Sequence, residues 1–216
     1  IGTTASVQGD DVKVGANIST SHTDADGNTR TNATTGSVEI KDGSATVSGT
    51  EKLSTTTVDE DGGKVKTDTT GGLMVGDDKF KLDGSHKVTT TDADGNATTS
   101  GVSGSVGHDH LKIAGEHSET TVGEDGSSDT VGVSGGLNID GNKKTATLDG
   151  KVTTSHSGAD GTKTTESIGA SVSINESGRL GTITGDRTAT ETADGVSTSR
   201  TDSVKIDAEK GTIGLS

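Results

Sequence analysis

The sequence predicts an all-β fold, an antiparallel up-and-down meander of about 14 strands built from hairpin repeats of about 34 residues. Three observations predict it. First, Asp-Gly pairs flanked by Thr, Ser and Val recur at Asp26, Asp61, Asp94, Asp125, Asp160 and Asp194, with spacings of 35, 33, 31, 35 and 34 residues. Asp-Gly between β-prone runs is a strong short-range hairpin signal, and a fixed period in this range marks a repeat. Second, the large apolar residues keep one parity across the tips at Asp26, Asp94, Asp125 and Asp160. Around Asp94 they are Phe80, Leu82, Val88, Val102 and Val106, all even-numbered. Third, that parity flips at an intervening set of turns. Val38 and Ile40 give way to Val47 and Leu53, and Leu73 and Val75 give way to Phe80 and Leu82.

Each turn follows from this arithmetic. A three-residue loop, Ala93-Asp94-Gly95, pairs residues whose numbers sum to 188 and keeps Val88 and Val102 on one face. It sets Thr91 opposite Ala97, with a type I turn followed by a left-handed Gly. The same parity holds across Asp26, Asp125 and Asp160. A two-residue turn at Asp77-Asp78 pairs Val75 with Phe80 and Leu73 with Leu82, and one at Asp42-Gly43 pairs Val38 with Val47. A slip of one residue would turn the whole apolar set to the wrong face. The remaining intervening turns fall at Gly9-Asp10, His108-Asp109, Gly141-Asn142, Ser177-Gly178 and Glu209-Lys210.

Composition alone points the other way. Val, Ile, Leu and Phe make 37 of the 216 residues, there is no Tyr, Trp, Pro or Cys, and the net charge is −14. Such a chain meets the usual rule for disorder. A disordered chain has no reason to hold its apolar residues on one face of a meander, so the periodicity decides. No 3.6-residue apolar stripe appears, and Gly and Thr are too frequent for helices.

Each full strand reads as two halves. Near the intervening turns one face carries Val, Ile, Leu, Ala and Gly, as in Ile168, Ala170, Val172 and Ile174. Near the Asp-Gly tips the same face carries Thr, Ser, Asp or His, as in Thr154 and His156. The opposite face is polar, as in Lys79, Lys81, Asp83, Ser85 and Lys87. Something must cover the apolar half. A round 14-stranded barrel would be too wide for Val and Leu to fill. The expected forms are a flattened barrel, two close-packed sheets or a single sheet stacked on another copy. The whole chain, 1–216, reads as one β-repeat domain. With half-length strands at both ends and no initiating Met, it reads as a window of a longer array.

Candidate sites are few. Asp24, Asp26 and Asn28, and Asp92, Asp94 and Asn96, have the alternate oxygen-donor spacing of calcium loops. No bidentate Glu follows, and the turn alone demands Asp-Gly. No cofactor is expected beyond weak, collective calcium binding at a row of tips. His108-Asp109-His110 offers two ligands where zinc needs four. The strand histidines His22, His86, His117 and His156 sit in repeat register. No G-x-S-x-G, phosphate loop or isolated carboxylate pair is present, so a non-enzymatic chain is expected. Asn17, Asn32, Asn96 and Asn175 begin N-x-Ser/Thr triplets, which a chain this rich in Thr and Ser produces by chance.

The expected function is structural: an extracellular or cell-surface β-repeat module, either a spacer or a self-assembling fibre or surface-layer subunit. The pattern is loosely similar to repeat regions of bacterial surface proteins, with no motif that carries residues over. The expected partner is another copy, bound through terminal strands whose edge residues are Ile1, Val7, Ile213 and Leu215. These strands carry few charges and no Pro, the usual protections of a sheet edge. One alternative is a binding module whose Thr-rich face takes ice or a polysaccharide. Another is a β-barrel pore, although an apolar band two or three residues tall without an aromatic girdle suits a membrane poorly. Acidity and the lack of a stacking platform argue against nucleic acid.

Overall fold

The computed structural model describes residues 2–8, 11–41, 44–76 and 79–216. Its strands are β1 (Gly2–Gln8), β2 (Asp11–Thr23), β3 (Thr29–Lys41), β4 (Ser44–Val58), β5 (Lys64–Gly76), β6 (Lys79–Thr91) and β7 (Ala97–Gly107). They continue as β8 (His110–Val122), β9 (Ser128–Asp140), β10 (Thr145–Ser157), β11 (Lys163–Ile174), β12 (Leu180–Ala193), β13 (Val196–Asp207) and β14 (Thr212–Leu215). All fourteen lie in one sheet in chain order, every neighbour antiparallel. The sheet is open: β1 and β14 are its two edges and do not meet. The flattened barrel and the two packed sheets are therefore not the form adopted.

The register is that of the parity argument. Thr91 lies opposite Ala97, and Leu82 opposite Val106. Val75 pairs with Phe80 and Leu73 with Leu82. Val38 pairs with Val47, and Lys41 with Ser44. The turn residues between these last strands, 42–43 and 77–78, lie outside the described residues, as do Ile1 and Gly9-Asp10. Five tips are three-residue loops. At the central one the Gly95 N–H donates to the Asp92 carbonyl at 3.2 Å, and Gly95 sits at φ +94°. That is a type I turn closed by a left-handed Gly, a conformation that costs other residues roughly 1–2 kcal/mol.

The sixth tip differs. Asp194 and Gly195 both have positive φ, 52° and 76°, and Ala193 pairs directly with Val196. This is a two-residue type I′ turn, which demands φ > 0 at both positions and is favoured by Asp-Gly. Three of the intervening turns also depart from two residues. Gly141–Lys144 and Ala208–Gly211 are four-residue connections, an even length that still flips the parity. At Glu176-Ser177-Gly178 a three-residue loop is followed by a bulge opposite Ser173. The Ser173 hydroxyl accepts the Thr182 N–H at 2.9 Å and fills the gap. Loop and bulge together shift the pairing by the same odd amount as a two-residue turn.

One layer leaves no place for a core. Among the described residues no hydrophobic side chain is buried. The exposed large hydrophobics, from Val14 to Leu215, all fall at positions of one face by the strand register. Backbone ladders and cross-strand side-chain pairs hold the sheet together, the latter contributing roughly 0.2–1 kcal/mol each.

Candidate functional site

The tips come first, because the calcium spacing falls on them. At the first, the Asp24 carboxylate accepts the N–H groups of Asp26 and Asn28 at 3.1 and 2.9 Å on one oxygen, and the Asn28 side-chain amide at 2.9 Å on the other. Asn28 Oδ1 in turn accepts the Val58 N–H at 2.8 Å, reaching the end of β4. The Asp92, Asn96 and Val122 tip repeats this geometry. Hydrogen bonds from Asn28 and Asn96 hold the Asp24 and Asp92 carboxyls below the ordinary carboxylate range. Four of the six candidate calcium ligands, Asp24, Asn28, Asp92 and Asn96, are thus tied into the turns and their neighbours. Asp26 and Asp94 stand exposed beside them. Among the described residues no group of three or more His, Asp and Glu is placed to hold a metal.

At two other tips the roles shift by two residues. Asp125 accepts both the hydroxyl and the N–H of Ser127, at 2.6 and 2.9 Å. Asp160 does the same with Thr162. These carboxyls too are lowered, Asp125 first by the Ser127 hydroxyl and Asp160 first by the Thr162 N–H. Each folds back over the start of its turn. A Cβ at Gly123 or Gly158 would meet that carboxylate at 2.8 or 2.6 Å, so a side chain there would displace it from this position.

The polar face is a ladder of hydroxyls. Thr35 pairs with Thr50 at 2.5 Å, Ser37 with Ser48 at 2.7 Å, Thr70 with Ser85 at 2.7 Å, and Thr120 with Thr130 at 2.9 Å. Thr188–Thr201, Thr190–Ser199 and Thr192–Ser197 continue it between β12 and β13. Ion pairs cross the same face. Lys87 on β6 reaches Glu116 on β8 at 2.8 Å, spanning β7 at Gly101, where a Cβ would come within 3.1 Å of the Glu116 carboxylate. Glycine at that register keeps the bridge open.

The other face divides as its sequence does. At the tip end it carries a hydrogen bond between His156 Nδ1 and Asp129 at 2.8 Å and an ion pair of Arg187 with Glu166 at 2.6 Å. A depression of about 570 Å³ opens there between β9 and β13. His86 bonds Thr69, and His117 bonds Ser100. His86, His117 and His156 stay separate from one another, each bonded to a residue of an adjacent strand. At the intervening turn, both Asp109 oxygens are engaged, by His110 at 3.0 Å and Asn142 at 2.7 Å. At the opposite end of this face lies the apolar band, in continuous cross-strand rows: Ile113, Leu137, Leu148, Val172, Ile183, Ile206 and Ile213 form one such row.

The edges complete the surface. β1 reads GTTASVQ and β14 reads TIGL, without a charged residue or a proline. Val7 is registered with Val12, and Ile213 with Ile206. Ile213 and Leu215 are the most exposed large hydrophobics described, at 70% and 81%. The sequence signal that missed most was that of the hydroxyl pairs. A Thr-rich face is legible in the sequence, and the register adds which hydroxyls meet in pairs. No protein-family model, curated protein or solved structure matches the chain.

Proposed function

We propose that this chain is a structural, non-enzymatic β-sheet module that assembles with copies of itself through its edges. The carrying observation is the pair of open, uncharged edge strands. Soluble sheets usually blunt their edges with Lys, Pro or bulges. β1 and β14 have neither charge nor proline. The sheet has an even number of strictly alternating strands, so its edges run in opposite directions. Both edge strands also pair with the intervening-turn halves of their neighbours. A second copy related by translation therefore presents β1 antiparallel to β14, with its apolar band on the same side. Such head-to-tail contacts do not close, and they grow a fibre or layer. This role suits an extracellular or cell-surface spacer or lattice subunit.

The test is sedimentation of the intact chain against Ile213→Lys/Leu215→Lys. The intact chain should form a ladder of lengthening species as concentration rises, and the double variant should not. An intact chain that never extends beyond a discrete small species would refute edge growth. A second reading rests on the hydroxyl ladder. Paired Thr and Ser at strand spacing give a regular polar lattice suited to a polysaccharide or to ice. Retention on insoluble glycan or in growing ice, lost in Thr190→Val/Thr188→Val, would favour it.

A further inference from the structure

We infer that two copies of this chain pair face to face through the apolar band, each supplying the layer that the other lacks. This deepens the self-assembly reading but uses a different surface, so the two can fail separately. Fully burying an aliphatic side chain removes on the order of 100 Å² from water. The exposed large hydrophobics of this face, from Val14 to Leu215, are about half exposed on average, and others beside them are less so. Together they leave roughly 1,000 Å² or more of apolar surface in water. The largest patch on an ordinary monomer is ~300–600 Å², and a stable interface needs ~800 Å² from each partner. The area is that of an interface, in a chain with no hydrophobic side chain buried among its described residues.

The relief of the face points to a second copy as the occupant. Between β8 and β12 the register lines up Gly115, Gly135, Gly150, Ala170 and Gly185 in one trough. On one side runs the row Ile113, Leu137, Leu148, Val172 and Ile183. On the other runs the shorter row Val133, Val152 and Ile168. A two-fold rotation lays the ridge of one copy into the trough of the other, which satisfies the self-complementarity of a two-fold interface. Packing inside the sheet does not require all of these glycines. A Cβ at Gly150 meets nothing nearer than the Ser134 carbonyl at 3.9 Å, and one at Gly115 nothing nearer than 3.8 Å. Small residues where a side chain would fit locally mark a place where another backbone comes close.

Sedimentation followed by refractive index tests this, with far-UV circular dichroism to confirm that each variant keeps its strands. An edge variant whose new charges lie on the opposite, polar face, Thr212→Lys/Gly214→Lys, should still form a species of twice the 21.4 kDa chain mass. Leu148→Lys/Val172→Lys should weaken that dimer by on the order of 100-fold. Gly150→Leu is the discriminating variant. It makes the face more apolar but fills the trough, so the dimer should weaken by about tenfold or more. Tighter association of Gly150→Leu would overturn the fitted pairing and leave unspecific stickiness. An edge variant that stays monomeric at millimolar concentration, or that binds neutral lipid vesicles in preference to itself, would overturn the second copy as occupant. Loss of growth in the edge variant with the dimer retained separates this inference from the edge reading.

Discussion

Asn28 and Asn96 show how much one residue does in this sheet. Each side-chain amide closes its own turn on Asp24 or Asp92, and each carbonyl oxygen braces the next hairpin at Val58 or Val122. Asn96→Ala should leave the half-buried Val122 N–H without its partner and cost about 1–2 kcal/mol. Urea unfolding would read this directly. Asp94→Ala, beside it and exposed, should leave the midpoint where it is. The tip carboxylates also set a pH dependence. Asp24, Asp92, Asp125 and Asp160 have folded-state values lowered from 3.8. Groups depressed in the folded state bind protons more readily when unfolded. Their contribution is therefore present above about pH 4 and is lost as pH falls through the folded-state values below 3.8. Urea midpoints that stay level from pH 6 to pH 2.5 would contradict this.

At the scale of the element, register was the most legible property. Parity of Val, Ile and Leu sufficed to place Val75 opposite Phe80 and Thr91 opposite Ala97, because a period-two pattern tolerates no slip. Turn type was legible only where composition constrained it. Asp194-Gly195 has the same two residues as Asp94-Gly95, yet it closes as a two-residue turn. The difference is set by the strands it joins, since Ala193 and Val196 must pair to keep Ile183 beside Ile206. The bulge at Ser173 was illegible, because its effect on parity equals that of an ordinary short turn. Ser173→Ala should remove the acceptor for the Thr182 N–H, destabilise the sheet by about 1–2 kcal/mol and speed hydrogen exchange at Thr182. Unchanged exchange there would mean that the bulge does not depend on its serine. The candidate metal ligands were legible as residues but not as partners. Whether Asn28 faces a cation or the neighbouring Val58 depends on strand spacing, which spacing along the chain does not encode.

At the scale of the whole molecule, a net charge of −14 and an apolar face act against each other. Like charge keeps copies apart over roughly 8–10 Å at moderate salt. Association should therefore strengthen with added salt, and again as pH approaches the isoelectric point of about 4.7, while the tip carboxylates are still ionised. Light scattering across a salt series would check it, and association that weakens with salt would show that ion pairs, not the apolar band, hold copies together. The central claim is that one open layer carries all of this. Ser21 on β2 and Ser203 on β13 lie on one continuous cross-strand row of the polar face. The chain has no Cys, so Ser21→Cys/Ser203→Cys takes two spin labels and no others. Diluted into unlabelled copies, the pair reports a distance within one molecule. Eleven strand spacings of 4.7–4.9 Å place the labels roughly 50 Å apart in the open sheet. A distance near 50 Å is the predicted result, and one below about 20 Å, as a closed barrel requires, would contradict it.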